Sequence, residues 1–71
     1  MQFLVVIERG ATSYGAYVPD LPGCVAVGES AATVETLIRE AIEIHIADLR
    51  SGGLEIPKPT SQSEVVEVAA A

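Results

Sequence analysis

A turn containing two prolines constrains this chain more than any other part of its sequence. Residues 17–24 read Tyr-Val-Pro-Asp-Leu-Pro-Gly-Cys. Each proline fixes φ and lacks a backbone N–H, so Pro19 and Pro22 must lie outside any central strand ladder. Gly23 can adopt the positive φ that a tight turn often needs, and Asp20 can hydrogen-bond its own backbone two residues on. The sequence therefore predicts a rigid reversal between two strands.

Strand-like segments lie on both sides of this reversal. Phe3–Ile7 is a short apolar run rich in β-branched residues, which predicts a first strand buried on both faces. Tyr14–Val18 and Cys24–Val27 are predicted as the second and third strands of an antiparallel meander. Glu64–Val68 is predicted as a last strand, so we expect an ordered core over residues 2–68.

A long amphipathic segment separates the third strand from the last one. Ser30 is placed to cap a helix, and because Thr33 stands where a capping box needs Glu or Gln, we expect a simple cap. Gly52-Gly53 is a typical helix end. The apolar stripe contains Val34, Leu37, Ile38, Ala41, Ile42 and Leu49. With Ile44 and Ile46 on its edges it spans an arc of about 200°. The order β-β-β-α-β predicts an α+β fold with one helix on an antiparallel sheet.

The size of the chain bounds what it can bury. Its 71 residues form one domain, and a chain of this size buries only about 60% of its unfolded surface. Hydrophobic residues nevertheless make up 49% of it, and one helix covers only one face of a sheet. We therefore expect a homo-oligomer, a two-fold dimer or a dimer paired again into a tetramer. The interface candidates are Leu4, Val6, Ile44 and Ile46.

Charge and cysteine content narrow the classes of function. The net charge of −6 argues against autonomous nucleic-acid binding, because phosphate contacts need clustered cations. The same charge favours a basic protein partner, or serves only to keep a small protein in solution. The single Cys24 has neither a disulfide partner nor metal-ligand spacing around it, so no metal or cofactor is expected. No signal peptide, lipidation site or transmembrane run is visible, which predicts a cytoplasmic protein without membrane contact.

The turn and the residues after it resemble the HicB family, the antitoxin halves of HicA/HicB toxin–antitoxin pairs and their stand-alone relatives. In that family an aromatic-bearing strand leads into a Pro-Asp-Leu-Pro-Gly-Cys turn, and a short strand then ends in Gly, an acidic residue and Thr or Ser before a long helix. The helix is followed by a glycine and Ile-Pro-x-Pro, here Ile56 to Pro59. The matching residues, which the resemblance marks as a mainly structural binding motif, are Tyr17, Pro19, Asp20, Leu21, Pro22, Gly23, Cys24, Gly28, Glu29 and Ser30.

The resemblance implies both a fold and a function. It implies a truncated RNase H-like fold and an antitoxin that binds a small basic HicA-like mRNA interferase and blocks its catalytic face. Family members that repress their own operon usually carry a C-terminal DNA-binding module. Only twelve residues follow Pro59, too few for such a module, so we expect no operator binding. The alternative is a stand-alone oligomeric domain that binds a small ligand or another protein and has no toxin partner.

An RNase H-like fold raises the question of nuclease activity. Two-metal cleavage needs several carboxylates that hold cations about 4 Å apart. The centre of the first predicted strand offers Val5 and Val6, and Glu8 comes only at its end. His45, the only histidine, lies within the apolar stripe and is interpreted as a core or interface residue. The sequence therefore predicts no catalytic residues and no enzymatic activity.

Overall fold

Three short antiparallel strands and one long helix form the structure, a computed structural model that describes residues 1–70. The strands are β1 (Val6–Arg9), β2 (Tyr14–Tyr17) and β3 (Val25–Gly28), and the helix is α1 (Ala31–Ser51). The sheet has the order β1-β2-β3 with both pairs antiparallel. The helix packs on one face of this sheet, which confirms the predicted α+β class.

The strand register divides the side chains between the two faces of the sheet. Ile7, Ala16 and Ala26 lie side by side across the strands, on the face that α1 covers. The neighbouring row, which contains Tyr17 and Val25, points the opposite way because side chains alternate along a strand. The core under the helix consists of Ala16, Val18, Leu21, Cys24, Val34 and Ile38.

Several predicted strand limits are wrong. β1 begins at Val6 rather than Phe3, and neither of its faces is fully buried, since Ile7 on the covered face is 41% exposed and Val6 on the other face is half-buried. The physical reason is that β1 lies at the edge of the sheet and has a neighbouring strand on one side only. The predicted strand over Glu64–Val68 is not formed, and all of its residues are exposed. A β-branched segment becomes a strand only where a ladder partner is available, whatever its propensity.

Both ends of α1 confirm the predicted signals. The Thr33 N–H donates to Ser30 Oγ at 3.1 Å, and the Ser30 hydroxyl donates to Thr33 Oγ1 at 2.9 Å. At the other end, Gly53 has φ 67°, and the Leu54 N–H donates to the Leu49 carbonyl at 2.8 Å. This is the left-handed glycine ending that satisfies the last carbonyls of a helix.

The helix is longer than the sheet beneath it. Its 21 residues extend about 31 Å, whereas a four-residue strand extends about 14 Å. Only Val34 and Ile38, in its first half, are fully buried. Leu37, predicted within the stripe, lies at its margin and is 38% exposed. Neither this helix nor any other part of residues 1–70 forms a helix able to cross a membrane.

The left-handed conformation at Gly23 can be tested directly. Its φ is +83°, and no heavy atom lies within 4 Å of the place where a Cβ would stand. A side chain there is therefore opposed by backbone conformation alone. We expect Gly23→Ala to lower the free energy of unfolding by about 1–2 kcal/mol in urea denaturation. Gly23→Asn should lose less, because Asn tolerates this conformation. An unchanged melting temperature for Gly23→Val would contradict this account of the turn.

Candidate functional site

The two-proline segment folds as two consecutive β-turns that share Leu21. The Leu21 N–H donates to the Val18 carbonyl at 3.1 Å, and the Cys24 N–H donates to the Leu21 carbonyl at 3.0 Å. Each proline thus occupies the second position of its turn, where its fixed φ is favourable. The Val18 N–H donates to the Cys24 carbonyl at 3.2 Å and so joins the two ends of the segment. We call residues 18–24 the double turn.

Leu21 anchors the double turn in the core. Its side chain is fully buried and belongs to the same cluster as Val34 and Ile38 of the helix. The residues around it, Pro19, Pro22 and Gly23, are exposed. The turn therefore joins the sheet to the helix through one apolar side chain and presents a rigid backbone to solvent.

The Asp20 carboxylate binds the C-terminal part of the chain. Its Oδ2 accepts hydrogen bonds from the backbone N–H groups of Thr60 and Ser61, at 3.1 and 3.0 Å. Its Oδ1 accepts from the hydroxyls of the same two residues, at 3.1 and 3.0 Å. We call this set of four hydrogen bonds the Asp20 clamp.

The clamp corrects the role predicted for Asp20. A local bond to the backbone two residues on is ruled out because that residue is Pro22, which has no N–H. The carboxylate instead joins segments 40 positions apart. No sequence pattern pointed to Thr60 and Ser61, since a Thr-Ser pair in an extended segment is common. A family turn residue thus serves to position the segment that follows Pro59.

The clamp favours the ionised carboxylate. The Ser61 N–H makes the largest contribution to lowering the pKa of Asp20 below its ordinary value of 3.8, and burial, the next largest effect, opposes it. The hydroxyls of Ser61 and Thr60 and the Thr60 N–H lower the pKa further, so the net shift is downward. Because its pKa is lower in the folded state, the Asp20 carboxylate binds fewer protons when the protein is folded than when it is unfolded. Its contribution to the free energy of unfolding is therefore complete above pH 3.8 and is lost as the pH falls through the lowered pKa. The clamp is therefore closed at neutral pH.

An NMR pH titration tests this. We expect the amide shifts of Thr60 and Ser61 to change with one midpoint below pH 3.8. Asp20→Ala should abolish that change and speed amide exchange at both residues, because no carboxylate remains to accept their hydrogen bonds. Glu29→Ala, an exposed acidic change near the same turn, serves as the control and should leave the titration intact. The same midpoint in Asp20→Ala would show that another group controls these amides.

Cys24 lies in the core, and the two tyrosines lie on opposite faces of the sheet. Cys24 is buried in the core, and burial raises the pKa of its thiol, as expected for a small apolar residue rather than a nucleophile. Tyr14 packs against the core under the helix. Tyr17 lies on the other face of the sheet and is 42% exposed.

The sheet comes close to the start of the helix at Gly28. A Cβ on Gly28 would stand 3.2 Å from both Thr33 Cγ2 and the Val34 backbone nitrogen. Glycine is thus needed here for space and not for a positive φ. Glu29 and Ser30 follow it, Glu29 exposed and Ser30 capping the helix. This part of the motif is scaffolding for the start of α1.

Two apolar surfaces remain open to solvent. The uncovered face of the sheet exposes Tyr17, Val25 and Val27, with Val25 at 63% and Val27 at 68%. We call this the open sheet face. The alternation of residues 25–28, in which Ala26 faces the core, already contained the signal that Val25 and Val27 point outward. Of the interface candidates on β1 and before it, Leu4 and Val6 are half-buried.

The second open surface lies on the helix. Leu37 and Ile44 are exposed two turns apart, and Glu40 lies between them with Glu43 beside it. We call this the outer helix surface. Ile44 is 64% exposed, whereas Ile46, the other helical interface candidate, is half-buried. Two residues apart on a helix, Ile44 and Ile46 point about 200° away from each other, so the two helical candidates lie on different sides of α1.

Carboxylates do not converge in the described part of the chain. Among residues 1–70, no three His, Cys, Asp or Glu side chains lie close enough to hold one metal ion. Asp20, the acid with the most hydrogen bonds, has all of them to Thr60 and Ser61. The site is therefore a rigid turn, a clamped C-terminal segment and two apolar surfaces, an arrangement suited to contact with another protein.

Comparison with known proteins agrees with this arrangement. A family described as the HicB-like antitoxin of bacterial toxin–antitoxin systems matches residues 3–70. The chain is 39% identical over 65 residues to a UPF0150 protein of Helicobacter pylori strain J99, and the alignment covers 90% of each chain.

A second relative is longer than this chain. The chain is 33% identical over 58 residues to an uncharacterised 14.9 kDa protein in the rep–hol intergenic region of Haemophilus phage HP1, which covers 82% of this chain and 44% of the phage protein. No solved structure matches the chain significantly. The match over residues 3–70, together with the double turn and its helix, shows that this chain belongs to the HicB-like antitoxin family.

Proposed function

We propose that this protein is a non-enzymatic antitoxin module that neutralises a HicA-type mRNA interferase by covering its catalytic face. The observation that carries the proposal is the family match over nearly the whole chain. A protein that blocks another protein needs a preformed surface rather than reacting groups. The double turn, fixed by two prolines and anchored by Leu21, provides a rigid frame for such a surface.

The outer helix surface is the part best suited to a basic toxin. It combines exposed apolar side chains, Leu37 and Ile44, with Glu40 and Glu43. The chain as a whole has a net charge of −6, which steers a cationic partner toward it. Asp20 already binds Thr60 and Ser61, so it contributes charge but few free hydrogen-bond positions.

A binding and cleavage assay tests the proposal. We expect the protein to inhibit mRNA cleavage by a purified HicA-type toxin and to associate with it faster at low salt, since steering is screened beyond about 10 Å at 0.1 M ionic strength. Glu40→Lys with Glu43→Lys should lower the association rate by at least tenfold. Glu55→Lys, a charge reversal in the connector after the helix, is the control and should have a much smaller effect. An association rate that does not depend on salt would show that electrostatic steering has no role in binding. Uninhibited mRNA cleavage would contradict the antitoxin role.

The second candidate function is a stand-alone domain that binds another protein or a small ligand without any toxin. The open sheet face favours it, because Tyr17, Val25 and Val27 form an apolar surface without acidic residues of the helix. Under this alternative the toxin assay is negative. Nuclease activity is not proposed, because the carboxylates of residues 1–70 do not converge, and cleavage of RNA that Glu8→Ala abolishes would overturn that choice. We propose a cytoplasmic location, where a HicA-type toxin meets mRNA.

A further inference from the structure

The chain beyond the Asp20 clamp extends away from its own domain. All residues from 62 to 70 are exposed, and Val65, Val66 and Val68 are 99%, 68% and 76% exposed. The radius of gyration is 14.3 Å, against about 11 Å for a compact chain of this length. We call residues 64–68 the tail segment.

The tail segment has the composition of a strand. It reads Glu-Val-Val-Glu-Val, and three of its five residues are β-branched valines. Three exposed valines in a row of five are not explained by solubility, since a solvated tail is normally poor in such residues. The segment lacks only a partner for its backbone hydrogen bonds.

A strand edge without a partner exists in the same molecule. β1 pairs with β2 on one side and, within residues 1–70, has no neighbouring strand on the other. Its residues Val6 and Ile7 are β-branched and partly exposed. Such an edge presents unpaired N–H and C=O groups that readily accept an added strand.

The chain's own tail segment does not occupy this edge. The clamp holds Ser61 close to the N-terminal residues, and Ser61–Ser63 line a groove of about 910 Å³ together with residues 1–5, Ile7 of β1 and helix residues between 35 and 42. The tail segment itself does not line that groove. It leaves the groove and enters solvent, where the β1 edge of another copy can receive it.

The areas involved favour an exchange of tails over stacking of sheets alone. The open sheet face is small, because three strands of four residues have a footprint of only roughly 200 Å² per copy. A stable interface needs about 1,200 Å² or more. Five residues of this chain expose roughly 750 Å² when extended, and burying half of each of two tails against an equal area of the receiving copy removes about 1,500 Å².

We propose that two copies of this chain form a dimer in which each tail segment adds as a strand to the free edge of β1 in the other copy. The exchange is reciprocal, as two-fold symmetry requires. The Asp20 clamp sets the point at which each tail leaves its own domain. The proposal does not depend on the presence of a toxin.

Proline substitution in the tail tests the exchange without disturbing the fold. Val66→Pro removes a ladder N–H and fixes φ at a residue that is exposed in the single copy. Ala70→Pro, just beyond the tail segment, is the matched control. Sedimentation of the wild type should show a species of about twice the 7.4 kDa mass of one chain. For Val66→Pro, the dissociation constant of the dimer measured in the same way should be at least tenfold higher. Ala70→Pro should stay within twofold of the wild type. Circular dichroism should confirm that both variants retain the fold.

A mixed sample of labelled and unlabelled chains identifies which copy receives the tail. We expect nuclear Overhauser effects between the valine methyls of the tail segment in one copy and those of Val6 and Ile7 in the other. A 7.4 kDa species alone at tens of micromolar would overturn the proposal. So would a dimer that Val66→Pro leaves intact, or contacts between the tail and β1 that are found only within one copy.

Discussion

Leu21→Ala should remove a large share of the stability of this domain. Leu21 is fully buried where the double turn meets the helix, and truncating a buried leucine lowers the free energy of unfolding by about 2–5 kcal/mol. A domain of 71 residues has roughly 4–11 kcal/mol in total. We therefore expect urea denaturation to show a much lower midpoint and a partly unfolded population at 37 °C.

The matched control for this change is Leu54→Ala. Leu54 follows the helix and is 62% exposed, so the same truncation there should change the free energy of unfolding by less than about 1 kcal/mol. If the two variants lose equal stability, then the turn is not anchored through Leu21. The exposed residues of the same turn, Pro19 and Pro22, would then have to account for its rigidity.

Gly28→Val should be the second most damaging change. Even a Cβ at this position would lie 3.2 Å from the Val34 backbone nitrogen, and Val34 is itself fully buried and cannot move outward. Overpacking of this kind costs about 1–3 kcal/mol. The helix must shift away from β3, so thermal denaturation should show a lower melting temperature and a less cooperative transition.

Gly15 offers a control for this prediction. It lies in β2 on the open sheet face, and a Cβ there would meet no heavy atom closer than the Ala26 carbonyl oxygen at 4.0 Å. Gly15→Val should therefore leave stability unchanged or raise it slightly, because valine favours strands. Equal losses at the two glycines would place the effect in the strands rather than in the contact between β3 and the helix.

Local chemistry explains why much of the fold was predictable. Pro19, Pro22 and Gly23 restrict their own backbone angles, so the turn follows from covalent geometry wherever it lies in the chain. Ser30 and the Gly52-Gly53 pair mark the ends of a helix by hydrogen bonds to residues within five positions. The chain reversal and both helix ends were therefore predicted correctly, whereas the local bond predicted for Asp20 was not, because Pro22 has no N–H to donate.

The tail segment shows where local chemistry stops being enough. Its valines favour a strand, yet a strand also needs a second backbone at about 4.8 Å, which no residue of the segment can specify. The predicted limits of β1 were wrong for the same reason, because the length of a strand depends on how far the strand paired with it continues. These errors concern pairing and not propensity.

By itself, the sequence of this protein determined the double turn, the capped helix, the α+β class and the family. Each of these features depends on residues that determine the conformation of the chain close to their own positions. Only the tertiary structure decided that the Asp20 carboxylate binds Thr60 and Ser61, that Leu21 enters the core and that β1 keeps a free edge. These features join residues up to 41 positions apart, and the chain brings such residues together only by folding.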